Sequence, residues 1–92
     1  MTPEIWQNIR DGDAVAMKAL YQQCYQSLYA YGFRVLPDKD KIKDCLHEVF
    51  CEIWQRRAKL GEVVNVEAYL KICVRNKLLS VIKQDQKTDF LD

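Results

Sequence analysis

The chain has 92 residues, of which 49% are apolar or aromatic, and 14 Lys and Arg against 13 Asp and Glu leave a formal charge of +1. That length suits one domain with one core, and the scarcity of Gly and Pro favours a compact helical fold over disorder. No apolar run nears the roughly 20 residues that span a bilayer and the N-terminus has no apolar signal region, so the sequence reads as cytoplasmic, with no membrane contact.

Thr2-Pro3-Glu4 reads as a helix start, with Thr as N-cap, Pro in the first turn and Glu near the positive helix end. Asp11-Gly12-Asp13 ends that helix early. Its apolar side, Ile5, Trp6 and Ile9, is expected to lie as a lid on longer helices. Asp13 then caps a second helix. Along it Met17, Leu20 or Tyr21, Cys24, Leu28, Tyr31 and Val35 step by three and four, as a core stripe does. Tyr21, Tyr25, Tyr29 and Tyr31 add aromatic bulk, read as core before a base-stacking platform. Gly32 is expected to bend or fray the last turn, and Pro37 to end it.

Pro37-Asp38-Lys39-Asp40 is a short connection in which Asp38 or Asp40 caps a third helix, so the second and third helices should pack antiparallel. The third helix, running to about Arg57, carries the run DCLHEVFCEIW at 44–54. Cys45, Leu46, Val49, Phe50, Ile53 and Trp54 form its apolar stripe, while Asp44, His47, Glu48 and Glu52 leave an acidic outward face. Residues 58–65 (AKLGEVVN) form the one connection with loop character and end in Asn65, a plausible N-cap. The fourth helix is expected from Val66 to about Gln84, with Tyr69, Leu70, Cys73, Leu78 or Leu79 and Ile82 apolar. Residues 85–92 read as a frayed end or the start of a linker.

Four cysteines (24, 45, 51 and 73) each fall in an apolar stripe and read as reduced core residues. Neither their spacing nor the single histidine, two residues from Cys45, converges on a metal, and no cofactor is expected. Asp44, His47 and Glu48 are the one cluster an enzyme reading could use, through a contact between Asp44 and His47. No nucleophile is evidently placed beside it, so no catalytic residue is assigned. Charge is polarised: Arg56 to Lys83 holds seven basic residues against Glu62 and Glu67, leaving the rest acidic. An acidic face suited to a basic partner thus precedes a basic segment bearing Asn65, Tyr69 and Asn76. Those groups meet phosphate, stack on a base or read its edge, which points to an adaptor between a protein and a nucleic acid.

The run DCLHEVFCEIWQRR, a loop and then AYLKICVRNKLLSVIK resemble region 2 of the extracytoplasmic-function (ECF) sigma factors of bacterial RNA polymerase. The upstream LYQQCYQSLYAYGFRVL resembles that family's aromatic-rich opening helix. The resemblance spans about Ala19 to Lys83. It rests most on Asp44, Glu48-Val49-Phe50 and Trp54, with Tyr69-Leu70 and Arg75-Asn76 as second matching points. It implies an all-α bundle of three long helices plus a short N-terminal helix. Asp44, His47, Glu48 and Glu52 would dock on the clamp helices of the β′ subunit, with His47 standing where the family commonly has Gln. The loop and last helix would bind the non-template strand of the promoter minus-ten element and hold a flipped base. That role falls on Lys59, Asn65, Tyr69, Lys71, Arg75, Asn76 and Lys77. An anti-sigma factor is a further partner the resemblance admits. The family also carries a helix-turn-helix domain, so a chain ending at Asp92 is expected to be an excised domain. The alternative is a truncated module that binds polymerase or a regulator without opening DNA.

Overall fold

Side-chain acceptors start three of the helices. Asp13 Oδ1 accepts from the Val15 and Ala16 amides at 2.9 and 3.3 Å, at the head of α2 (Ala14–Val35). Asp38, and not Asp40, caps α3 (Lys39–Gln55), its Oδ1 lying 3.2 Å from the Lys41 amide. Asn65 Oδ1 accepts from the Ala68 amide at 3.0 Å, at the head of α4 (Val66–Leu91). Ahead of these lies α1 (Pro3–Arg10), and a 3-10 turn (Arg57–Lys59) follows α3. This computed structural model describes residues 3–91 in backbone and 4–84 in side chain, so the expected Thr2 cap lies outside the described residues. The last helix runs to Leu91, past the end expected near Gln84. Gly12, with φ at +95°, makes the left-handed turn between α1 and α2 that a side chain would strain.

All the described secondary structure is helical, as the apolar periodicity requires. The buried positions step by four on two helices: Ala16, Leu20, Cys24, Leu28 and Gly32 on α2, and Val66, Leu70, Val74 and Leu78 on α4. Between them α3 inserts Ile42, Cys45, Leu46, Val49, Phe50 and Ile53. A strict four-residue step forms one ridge per helix, which seats in a neighbour's groove. The step also settles the open positions: Leu20 is buried and Tyr21 is 39% exposed, while Leu78 is buried and Leu79 is 37% exposed. Val74, absent from the expected stripe, is fully buried. Tyr69, Cys73 and Ile82 are only half-buried.

Gly32 corrects an expectation. It does not fray the helix; it lies buried inside α2, where a Cβ would sit 3.4 Å from Ile42 Cγ2 and from Leu78 Cδ1. The missing side chain lets α3 and α4 both close on α2 at one level. The neighbouring contacts give the directions. Gly32 meets Ile42 beside the connection and Tyr21 meets Phe50 at the far end, ring centroids 4.9 Å apart, so α2 and α3 are antiparallel. Ser27 Oγ donates to Glu67 Oε1 at 2.6 Å, and Lys71 Nζ sits 5.9 Å from the Tyr31 ring, so α2 and α4 run the same way.

The lid helix is fastened more firmly than an apolar stripe alone would do. Trp6 and Ile9 are buried, and Trp6 Nε1 donates to the Gly61 carbonyl at 2.9 Å. The Trp6 ring also meets Tyr69 edge-on at 5.7 Å. One residue of α1 therefore holds both the loop after α3 and the first turns of α4. Among the cysteines, all free, Cys24 and Cys45 are buried and Cys73 is half-buried. The core assignment fails for Cys51, which is exposed because position 51 lies off the buried stripe of α3.

Candidate functional site

The third helix builds the first surface. Asp44, His47, Glu48 and Glu52 are all exposed, and with Cys51 they occupy the side of α3 opposite its core stripe. Positions 44, 48 and 52 repeat every four residues, so the three carboxylates climb one helix face. His47 does not lean on Asp44; its Nε2 lies 3.6 Å from Cys51 Sγ, one turn further on.

The fourth helix does not gather its five expected residues, Tyr69, Lys71, Arg75, Asn76 and Lys77, on one face. Its buried stripe runs through Val66, Leu70, Val74 and Leu78, and Lys71 and Lys77 flank it on opposite sides, about 120° apart around the helix axis. Lys71 turns toward α2 and caps the Tyr31 ring. Lys77 turns toward α3. Arg75 and Asn76 point outward into solvent, beside exposed Ile72 and Leu79. Lys59 is exposed in the 3-10 turn. Asn65 is exposed too, but its side-chain oxygen is spent on the helix cap. Tyr69 is half-buried against Trp6, and burial pushes its hydroxyl pKa up.

Lys77 joins the two surfaces. Its Nζ donates to Glu52 Oε1 at 2.5 Å and lies 3.2 Å from Glu48 Oε2. The hydrogen bond that Lys77 donates to Glu52 is the largest of the causes that raise its pKa. The Lys77 side chain is 23% exposed, against 60% for Glu48 and 49% for Glu52. The pair closes one wall of a groove of about 580 Å³ between α3 and α4, which Asn76 and Cys73 also line.

Three features around the loop were not read from the sequence. Trp6 reaches Gly61 from 55 residues away, a separation no local pattern reports. Arg57 stacks on Trp54 with its guanidinium carbon 4.2 Å from the ring centroid, and donates to the Trp54 carbonyl at 2.7 Å. Val64 stands fully exposed on the loop, at the edge of a cleft of about 510 Å³ that Trp6, Gln7, Arg10 and Glu62 also line.

Among the described residues, no group of three or more His, Cys, Asp or Glu side chains is placed to hold a metal, and no helix is long and apolar enough to cross a membrane. What stands out is a helical domain with two polar surfaces set on adjacent helices. Residues 20–88 match the family model of Sigma-70 region 2, and the chain belongs to that family. Neither the curated proteins nor the solved structures contain a significant match. Region 2 domains of this family act in RNA polymerase binding and promoter melting and are not enzymatic.

Proposed function

We propose that the chain is the region 2 domain of an ECF-type sigma factor. In this reading Asp44, His47, Glu48 and Glu52 dock on the β′ clamp helices of RNA polymerase. The loop and α4 take the non-template strand of the minus-ten element through Lys59, Asn65, Tyr69, Lys71, Arg75, Asn76 and Lys77. The observation that carries the reading is the exposed face of α3 that bears Asp44, Glu48 and Glu52, set directly beside a helix with outward Arg75 and Asn76. Charge complementarity toward a basic helical partner favours fast, oriented docking. On the strand side, Arg75 meets phosphate and Asn76 offers both a donor and an acceptor to a base edge. The cleft between α1 and the loop has room for an unstacked base, with Val64 at its rim.

The test is a binding assay against the isolated β′ clamp helices with Asp44→Lys and Glu48→Lys. Each is expected to weaken binding at least tenfold, and unchanged binding by both would end the docking assignment. For the strand, affinity for a single-stranded minus-ten oligonucleotide should fall with salt at a log–log slope of about −0.7 per phosphate met. A flat salt profile would remove the phosphate contacts.

One observation favours the alternative, a module that binds polymerase or a regulator such as an anti-sigma factor without opening DNA. Asn65, Tyr69 and Lys77 are each engaged inside the chain, on the helix cap, on Trp6 and on the α3 carboxylates. Clamp-helix binding with no single-strand binding would select it.

A further inference from the structure

The loop ahead of α4 has little of its own to hold its backbone. Among the described residues, the one hydrogen bond on residues 60–64 is the 2.9 Å bond from Trp6 Nε1 to the Gly61 carbonyl. Glu62, Val64 and Asn65 are exposed, and only Leu60 and Val63 sink partly into the core. The Trp6 ring also meets Tyr69 edge-on, with centroids 5.7 Å apart. We propose that Trp6 is a positioning residue for strand recognition: by fixing the loop and Tyr69 it presets the cleft that an unpaired base enters. The inference rests on the strand-binding reading above and adds α1 to it. That helix, Pro3–Arg10, lies ahead of residues 20–88, so the family match assigns it no part.

Trp6 is 3% exposed, so it acts through the groups it touches rather than on the strand. The cleft of about 510 Å³ has Gln7 and Arg10 of α1 on one side and Glu62 and Val64 of the loop on the other. A bond from α1 to the loop therefore fixes the distance between the two walls. Without it the loop samples many conformations, and the ordering then needed on binding subtracts from affinity for the sequence that fits. Arg75 points outward from α4 and meets phosphate without help from the loop, so affinity for an arbitrary sequence survives. The signature of this positioning role is lost discrimination between sequences, with binding itself retained.

The experiment uses the 92-residue chain and single-stranded DNA with a randomised central segment. Capture and sequencing give the preferred sequence. Fluorescence anisotropy then compares it with a scrambled one, below the melting range of every variant. Trp6→Phe should cut the preferred-to-scrambled affinity ratio roughly threefold to tenfold, while scrambled affinity changes less than about twofold. Ile42→Val, a core truncation beside Gly32 at the other end of α2, lowers stability without touching the loop and should leave the ratio unchanged. The parent chain supplies a second reading, which decides the matter if Trp6→Phe does not fold: the Trp6 indole N–H should exchange no faster when the preferred strand is bound. An unchanged ratio in Trp6→Phe, a like fall in Ile42→Val, or faster indole exchange on binding would overturn the positioning role alone. A parent chain that binds no oligonucleotide, or binds all of them alike, would overturn the strand-recognition reading, and this inference with it.

Discussion

Trp6→Phe is the sharpest test of how the loop before α4 is held. The substitution keeps an aromatic ring in the buried site but removes the Nε1 donor that meets the Gly61 carbonyl at 2.9 Å. A hydrogen bond of this kind contributes about 0.5–1.5 kcal/mol, and Gly61 is exposed, so water replaces part of it. The smaller ring also loses some of its edge contact with Tyr69, an interaction worth about 0.5–1.5 kcal/mol in full. The two losses together come to about 1–2 kcal/mol. For a chain of this size each kcal/mol moves Tm by about 4–8 °C, so Tm should fall by roughly 5–15 °C. The local effect should exceed the global one. Amide exchange at 60–65 should accelerate more than exchange at the centres of α2 and α3, because the loop loses its tether while the core keeps its stripes. The assay is a urea and thermal titration paired with hydrogen exchange. A Tm within about 1 °C of the parent, or loop exchange that tracks the core, would refute the anchoring role of Trp6.

Gly32→Leu should destabilise by about 1–3 kcal/mol in urea, because Ile42 and Leu78 already occupy the space; a neutral result would deny the three-helix crossing. Gly32→Ala should be far milder, since its Cβ meets ordinary contact distances and gains helix propensity. Burial pushes the Cys45 thiol pKa up from 9.0 to about 11, and raises those of Cys24 and Cys73 too. A folded-state pKa above the unfolded one favours the protonated thiol. That stability is complete below pH 9 and lost as pH rises through about 11, with Cys45 accounting for about 2–3 kcal/mol. Urea midpoints at about pH 8 and about pH 10.5 should therefore differ more for the parent than for Cys45→Ala, and equal slopes would contradict the assignment.

Much of the architecture was legible in residue order. Asp13 and Asn65 announced helix starts, Pro37 announced an end, and the three-and-four spacing of apolar residues announced helices with buried stripes. These are local signals, since caps act within a turn and periodicity needs only one helix. The same locality explains the errors. Leu20 and Tyr21 are both apolar and adjacent, so period alone could not choose between them, and a neighbouring helix decided it by packing on Leu20. Gly32 resembled a helix breaker because its reason for being glycine is supplied by Ile42 and Leu78, residues from two other helices. Cys51 looked apolar in sequence and is exposed in space.

The sequence by itself determined a helical fold, the caps Asp13 and Asn65, the acidic outward face of 44–52 and, through the order of residue types, a family. It did not determine how the two candidate surfaces relate, because side-chain reach across helices depends on where the axes cross. Only the tertiary structure brought Trp6 to Gly61 and divided the α4 cations among three directions. Only there, too, did Lys77 meet Glu48 and Glu52, 29 and 25 residues away. The physical reason is that a charge on a helix flank is paired or free according to its neighbour's face, which no single helix encodes.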